Sequence, residues 1–116
     1  MEAEFADDRL RFLLGDVRDR DRLRRAFDRV DYVIHAAALK RVEKGERDPL
    51  EFKKTNVDGA QNVTEAALDA HVRRVVALST DKASSPATLY GSSKLMAEHI
   101  VCWANVYGTT DFLCVR

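Results

Sequence analysis

Thr80, Asp81, Lys82, Tyr90 and Lys94 bring a hydroxyl, a carboxylate, two amines and a phenol into one short stretch, just after the apolar run Val72 to Leu78. Tyr90 and Lys94 are four residues apart in Tyr90-Gly91-Ser92-Ser93-Lys94, a spacing that puts both side chains on one face of a helix. A phenol titrates near pH 10 when unperturbed, that is at about 10. A neighbouring ammonium favours the phenolate and makes Tyr90 a usable general acid or base. The cluster is suited to moving protons on and off a substrate.

The flanking sequence supplies the elements that must position this cluster. Leu10 to Leu14, Asp31 to His35, Val72 to Leu78 and Phe112 to Val115 read as strands. Val75 to Leu78 is nearly uniformly apolar, the pattern of a parallel strand covered on both faces. Arg18 to Arg29 reads as a solvated helix in which Leu23, Ala26, Phe27 and Val30 form the apolar stripe and Asp21 is spaced to pair with Arg25. A longer helix starts at Asp48-Pro49, with Asp48 as N-cap, and runs toward Ala70. Gly59 permits close packing within it. A third helix carries Tyr90, Lys94, Leu95, Met96, Ile100, Val101 and Val106. Alternating strands and helices predict right-handed βαβ units and an α/β fold. In such sheets ligands gather outside the carboxyl ends of the strands. That gives weight to Gly15-Asp16-Val17, to His35-Ala36-Ala37-Ala38-Leu39-Lys40 and to Ser79-Thr80-Asp81-Lys82.

Composition bounds the answer. The chain has 116 residues, 46% of them apolar and 33% charged, which is the make-up of one ordinary globular domain. Lys plus Arg and Asp plus Glu both number 19, for zero net charge. No global field attracts nucleic acid or an anionic membrane, and no stacking aromatics accompany the arginines. No apolar run approaches the roughly 20 residues of a membrane helix, and Met1 to Leu10 lacks the apolar core of a signal peptide. A cytoplasmic location is expected. Cys102 and Cys114 read as buried free thiols. His35, His71 and His99 have no ligand spacing, and no metal site is predicted.

Taken together, these segments resemble the extended branch of the short-chain dehydrogenases/reductases, and within it the nucleotide-sugar 4,6-dehydratases of polysaccharide biosynthesis. The residues that carry the resemblance are Gly15-Asp16-Val17-Arg18-Asp19, His35 to Lys40, Asp48-Pro49 with Thr55-Asn56, Leu78 to Ala83 and Leu89 to Lys94. Retaining glucose-type dehydratases carry Thr-Asp-Glu where this chain has Thr80-Asp81-Lys82. Many membrane-tethered relatives and some epimerases carry Met at the place of Tyr90. The combination of Lys82 with Tyr90 is similar to the inverting branch, which acts on UDP-N-acetylglucosamine with NADP, NAD being the alternative.

The resemblance implies a mechanism. Tyr90 with Lys94 deprotonates the 4-hydroxyl as the nicotinamide oxidises carbon 4. Lys82, if neutral in a desolvated pocket, removes the proton of carbon 5, and Asp81, if protonated, gives its proton to the leaving 6-hydroxyl. Thr80 holds the 4-oxygen. Asp16 and Val17 are implied to bind adenine, Ala36 to line the dinucleotide groove, Lys40 to approach cofactor and substrate, and Lys94 to bond the nicotinamide ribose. Asn56 is as readily assigned to helix bending or packing.

The resemblance also implies a partial Rossmann-like, doubly wound parallel sheet in which residues 1–116 supply the third through sixth strands of an NAD(P)-binding domain. The glycines, Gly15, Gly45, Gly59, Gly91 and Gly108, form no Gly-rich phosphate turn. With strand order 3-2-1-4-5-6, the first two strands are missing and Leu10 to Leu14 has no neighbour to pair with. An internal fragment of a homo-oligomeric enzyme, inactive in isolation, is therefore expected. An epimerase of the same superfamily and a non-catalytic dinucleotide-binding module are the competing expectations.

Overall fold

The computed structural model describes residues 6–39, 48–83 and 88–116. Helix α1, Arg20–Ala26, begins because the Asp19 carboxylate accepts from the Arg22 backbone N–H, and it carries Asp21 in its first turn and Arg24 and Arg25 in its last. It is shorter than the charged stretch suggests. Its arginines pair across to a neighbouring helix, Arg20 with Glu65 at 2.8 Å and Arg24 with Asp69 at 2.9 Å. These exposed pairs are worth under about 1 kcal/mol each. The packing of Leu23 and Phe27 against the core is what seats α1.

Strand β1, Tyr32–His35, leads to a helix in three parts: α2, Pro49–Phe52, a π-helical turn, Lys53–Asp58, and α3, Gly59–Asp69. Pro49 occupies the first turn as expected, but the Asp48 side chain makes no capping bond. In the π turn the Gly59 N–H reaches back five residues to the Lys54 carbonyl. Strand β2, Arg74–Leu78, helix α4, Leu89–Trp103, a 3-10 turn, Ala104–Val106, and strand β3, Asp111–Val115, complete the order. Helices α1 and α3 are followed by Arg29 and His71 at φ of 62° and 56°, the left-handed conformation that commonly ends a helix.

The three strands form one parallel sheet in the order β1-β2-β3, with Val33 opposite Val75 and Val75 opposite Phe112. Two crossover connections join them, which makes the α/β sheet a partial Rossmann-like one. Inward side chains alternate with outward ones. Val75, Ala77 and Phe112 join Ala60, Val63, Ala67, Ala97 and Val101 in a core between the sheet and helices α3 and α4. The opposite face carries Tyr32, Ile34, Leu78, Leu113 and Val115, all exposed.

Two expectations are corrected here. Residues 10–14 form no strand; Leu10, Leu13 and Leu14 are 47%, 56% and 93% exposed, with no ladder to order them. Strand β2 is covered on one face by the described residues, so its apolar run does not report two covers. Leu78 is 42% exposed.

Gly59 is required by close approach. A Cβ there would lie 2.9 Å from Cγ2 of Val17, whose backbone carbonyl accepts from Asn62 Nδ2. Gly59→Ala should therefore destabilise the chain by about 1 kcal/mol or more, because overpacking outweighs the gain in helix propensity. Urea denaturation measures this, and a stabilised variant would refute the packing account.

Candidate functional site

Helix α4 starts where it does because the Thr88 side chain accepts from the Gly91 N–H at 3.1 Å. That start places Tyr90 and Lys94 one turn apart, each 7% exposed. Lys94 Nζ donates to the carbonyl of Leu78, the last residue of β2, at 2.8 Å. The amine is thereby held at the carboxyl end of the sheet. After β2, residues Asp81–Ala83 form a 3-10 turn anchored by buried Ala83. Thr80 Oγ1 donates to Asp81 Oδ1 at 3.2 Å and accepts from the Lys82 N–H at 3.4 Å. Lys82 Nζ lies 5.7 Å from the centre of the Tyr90 ring, within cation–π range. Asp81 and Lys82 are exposed.

A buried amide ties this cluster to the loop after β1. Asn56, 2% exposed in the π turn, accepts from the Leu39 N–H at 2.8 Å and donates to the Leu39 carbonyl at 3.0 Å. Its Nδ2 also donates to Ser93 Oγ at 3.0 Å, and Ser93 Oγ donates to the Tyr90 carbonyl at 2.8 Å. Ser93 is a positioning residue that the sequence reading passes over. Its signal is a small polar residue one turn from Tyr90 on the buried helix face.

Asp16 and Val17 line a separate cleft of about 730 Å³, together with Leu13, Leu14, Ala37, Ala38, Leu39 and Thr55. Arg18 donates to Asp16 through its backbone N–H and guanidinium, and this holds the Asp16 carboxyl below the usual carboxylate range. Arg18 Nη1 reaches Glu51 across the rim at 3.0 Å. Ala36 is exposed at the end of β1, one residue before the lining alanines. Lys40 lies outside the described residues. The structure thus separates the cleft residues from the Thr80 to Lys94 cluster, and Leu39 with Asn56 joins the two.

His35, 8% exposed, ends β1 inside the sheet. Burial, and secondarily the Lys94 charge, lower its pKa to about 4. It shares a small space between sheet and α4 with Lys94, Glu98 and Cys114.

The profile of polysaccharide biosynthesis proteins matches residues 1–116. The chain belongs to that family. Within the polysaccharide biosynthesis family it is 47% identical over 105 residues to an inverting UDP-N-acetylglucosamine 4,6-dehydratase of Campylobacter jejuni, covering 90% of this chain and 31% of the relative. It is 48% identical over 107 residues to an uncharacterized membrane protein of Methanocaldococcus jannaschii, covering 92% and 32%. It is 45% identical over 100 residues to a UDP-glucose 4-epimerase of Rickettsia canadensis, covering 86% and 29%. The chain spans about a third of the length of these relatives.

Among solved structures, Pen from Bacillus thuringiensis superposes with a TM-score of 0.94 at 41% identity, over 99% of this chain and 36% of that one. A dTDP-glucose 4,6-dehydratase from Streptomyces venezuelae, solved with NAD, gives 0.85 at 33% identity, over 91% and 37%. The shared fold is the partial Rossmann-like sheet described above. Among the described residues no helix is long and apolar enough to cross a membrane, and no cluster of metal-ligating side chains occurs.

In this member of the family, two expectations follow from the site. Asn56→Ala leaves the Leu39 backbone groups unpaired and should cost about 1–3 kcal/mol, read as a lower urea midpoint; an unchanged midpoint would contradict the brace. For His35, the unfolded chain takes up a proton below about 6.5, whereas the folded chain does so only near 4. Stability is therefore complete above that upper value and is lost as pH falls through the interval, by roughly 3 kcal/mol in all. His35→Gln should flatten the stability curve between those limits, and an unflattened curve would sink the account.

Proposed function

We propose that this chain carries the strand-end catalytic residues of an inverting nucleotide-sugar 4,6-dehydratase acting on UDP-N-acetylglucosamine, in a cytoplasmic enzyme that works as a homo-oligomer. The observation that carries the reading is the placement of Tyr90 and Lys94 on one buried face of α4, with Lys94 held to Leu78 and Lys82 over the Tyr90 ring. Residues 1–116 then form the later-strand part of an NAD(P)-binding domain.

The cleft beside Asp16, Val17, Ala37 and Ala38 fits the flat adenine end of a dinucleotide in size and in its small apolar lining. A bound nicotinamide, NADP by resemblance, supplies a reversible two-electron acceptor for carbon 4 of the sugar. By that resemblance Ala36 belongs to the same groove, and Lys40 is implied to approach cofactor and sugar.

Tyr90 takes the proton of the 4-hydroxyl, and the Lys94 ammonium steadies the phenolate and bonds the ribose. Thr80, at the start of the 3-10 turn, holds the 4-oxygen. Oxidation at carbon 4 acidifies carbon 5, whose proton Lys82 removes while Asp81 protonates the departing 6-hydroxyl; return of the hydride to carbon 6 and of a proton to carbon 5 from the opposite face leaves a net loss of one water. Asp81 and Lys82 are exposed, so this step needs the bound sugar to exclude water from them.

A chimera tests the assignment: this chain replaces the matching segment of the Campylobacter jejuni dehydratase, and UDP-N-acetylglucosamine is the substrate. The expected product is lighter by one water. Tyr90→Phe should lower turnover by about 10²–10⁴-fold, and Lys82→Ala should stop water loss. A product of unchanged mass favours the epimerase reading, which the Rickettsia relative supports. A folded chimera that binds NADP without turnover favours a non-catalytic module. The isolated 116-residue chain is expected to show no turnover.

A further inference from the structure

Cys102 and Cys114 are the chain's two cysteines. Cys102 sits in the last turn of α4 and Cys114 on β3, with their sulfurs 3.7 Å apart. Both thiols are free; Cys102 is exposed, contrary to the sequence expectation, and Cys114 is half-buried. We propose that this pair is an oxidation site at which a hydroperoxide produces a reversible intramolecular disulfide, stapling α4 to β3.

The chemistry closes with a peroxide as the oxidant. The Cys102 thiolate attacks one peroxide oxygen, the O–O bond breaks, and the other oxygen leaves as hydroxide or alkoxide that takes up a proton. Cys102 is left as a sulfenic acid. The Cys114 sulfur then attacks the Cys102 sulfur, the S–S bond forms, and the S–O bond breaks. The hydroxide released takes the Cys114 proton and departs as water. Two thiols lose two protons and two electrons, and the peroxide is reduced.

Exposure assigns the roles. Cys102 meets the oxidant first because solvent reaches it. Cys114 is shielded, and burial, with the hydrogen bond between the two thiols, pushes its thiol up to about 12. It therefore stays protonated and quiet until a sulfenic acid stands beside it.

The approach is already made. A disulfide needs an S–S length of about 2.05 Å, so the sulfurs must close by less than about 2 Å. Asn105, in the 3-10 turn after α4, fixes the lateral relation of the two elements. It donates to the Cys102 carbonyl at 3.1 Å and the Phe112 carbonyl at 2.9 Å, and accepts from the Phe112 N–H at 2.8 Å. Lys94, Glu98 and Cys102 follow at four-residue steps along one side of α4, so the staple restrains the helix that bears Tyr90. The oxidation itself does not depend on the catalytic reading.

The test uses the 116-residue chain at low micromolar concentration with hydrogen peroxide. The expected intact mass falls by two hydrogens, both cysteines resist alkylation after denaturation, and dithiothreitol reverses both changes. The midpoint of thermal unfolding should rise in the oxidised form. Cys102→Ser, at an exposed position, should fold normally and show no loss of hydrogens, which keeps the test decisive even where Cys114→Ser does not fold. Addition of oxygen at Cys102 with Cys114 still alkylated, or a cross-link between two chains, would overturn the proposal.

Discussion

Parallel strands cannot be joined by a tight hairpin, and that constraint organises this chain. Each of the two strand-to-strand steps must travel back through a helix, and both helices, α3 and α4, lie on the same side of the sheet. One face is therefore packed while every strand points its carboxyl end toward the same edge. The groups with chemistry collect at that edge: the residues after β1, the 3-10 turn after β2, and the first turns of α4. Lys94 shows how tightly edge and helix are coupled, since its amine closes on the terminal carbonyl of β2.

How much of this is legible in the sequence depends on whether the deciding contact is local. The Tyr90 and Lys94 spacing is legible because a helix repeat alone brings the two together, and Thr88 starts that repeat in the right place. The three paired strands are legible from their β-branched, apolar character. Residues 10–14 share the apolar character though they hold no β-branched residue, yet strand formation requires a hydrogen-bonded neighbour, and composition does not contain one. The run in β2 misleads for a related reason: an apolar residue marks what a strand can bury, whereas burial is conferred by what packs on it.

Asn56 and Cys102 were the least legible features, for opposite reasons. An asparagine in a helix interior reads as readily as a bending or packing residue until its two backbone bonds to Leu39 are seen, and those bonds span 17 residues of chain. Cys102 reads as an ordinary buried thiol because it lies in a helix with no further Cys or His at ligand spacing, yet it is exposed. One helical position decides otherwise. The separation of the Asp16 cleft from the Tyr90 cluster is likewise a tertiary fact, although each part is signalled by residues at a strand end.

The π turn at Lys53–Asp58 has a consequence for phase. A single extra residue in one turn resets the angular position of everything after it by about 100°. Phe52 before the turn and Val63 after it both reach the interior, eleven residues or about three turns apart, so their shared face depends on the residue count through the turn. The helix keeps one buried face only while that count is held, and buried Asn56 sits within the turn. Deleting one residue there would turn α3 on its axis, exposing its core side chains while leaving its helicity intact.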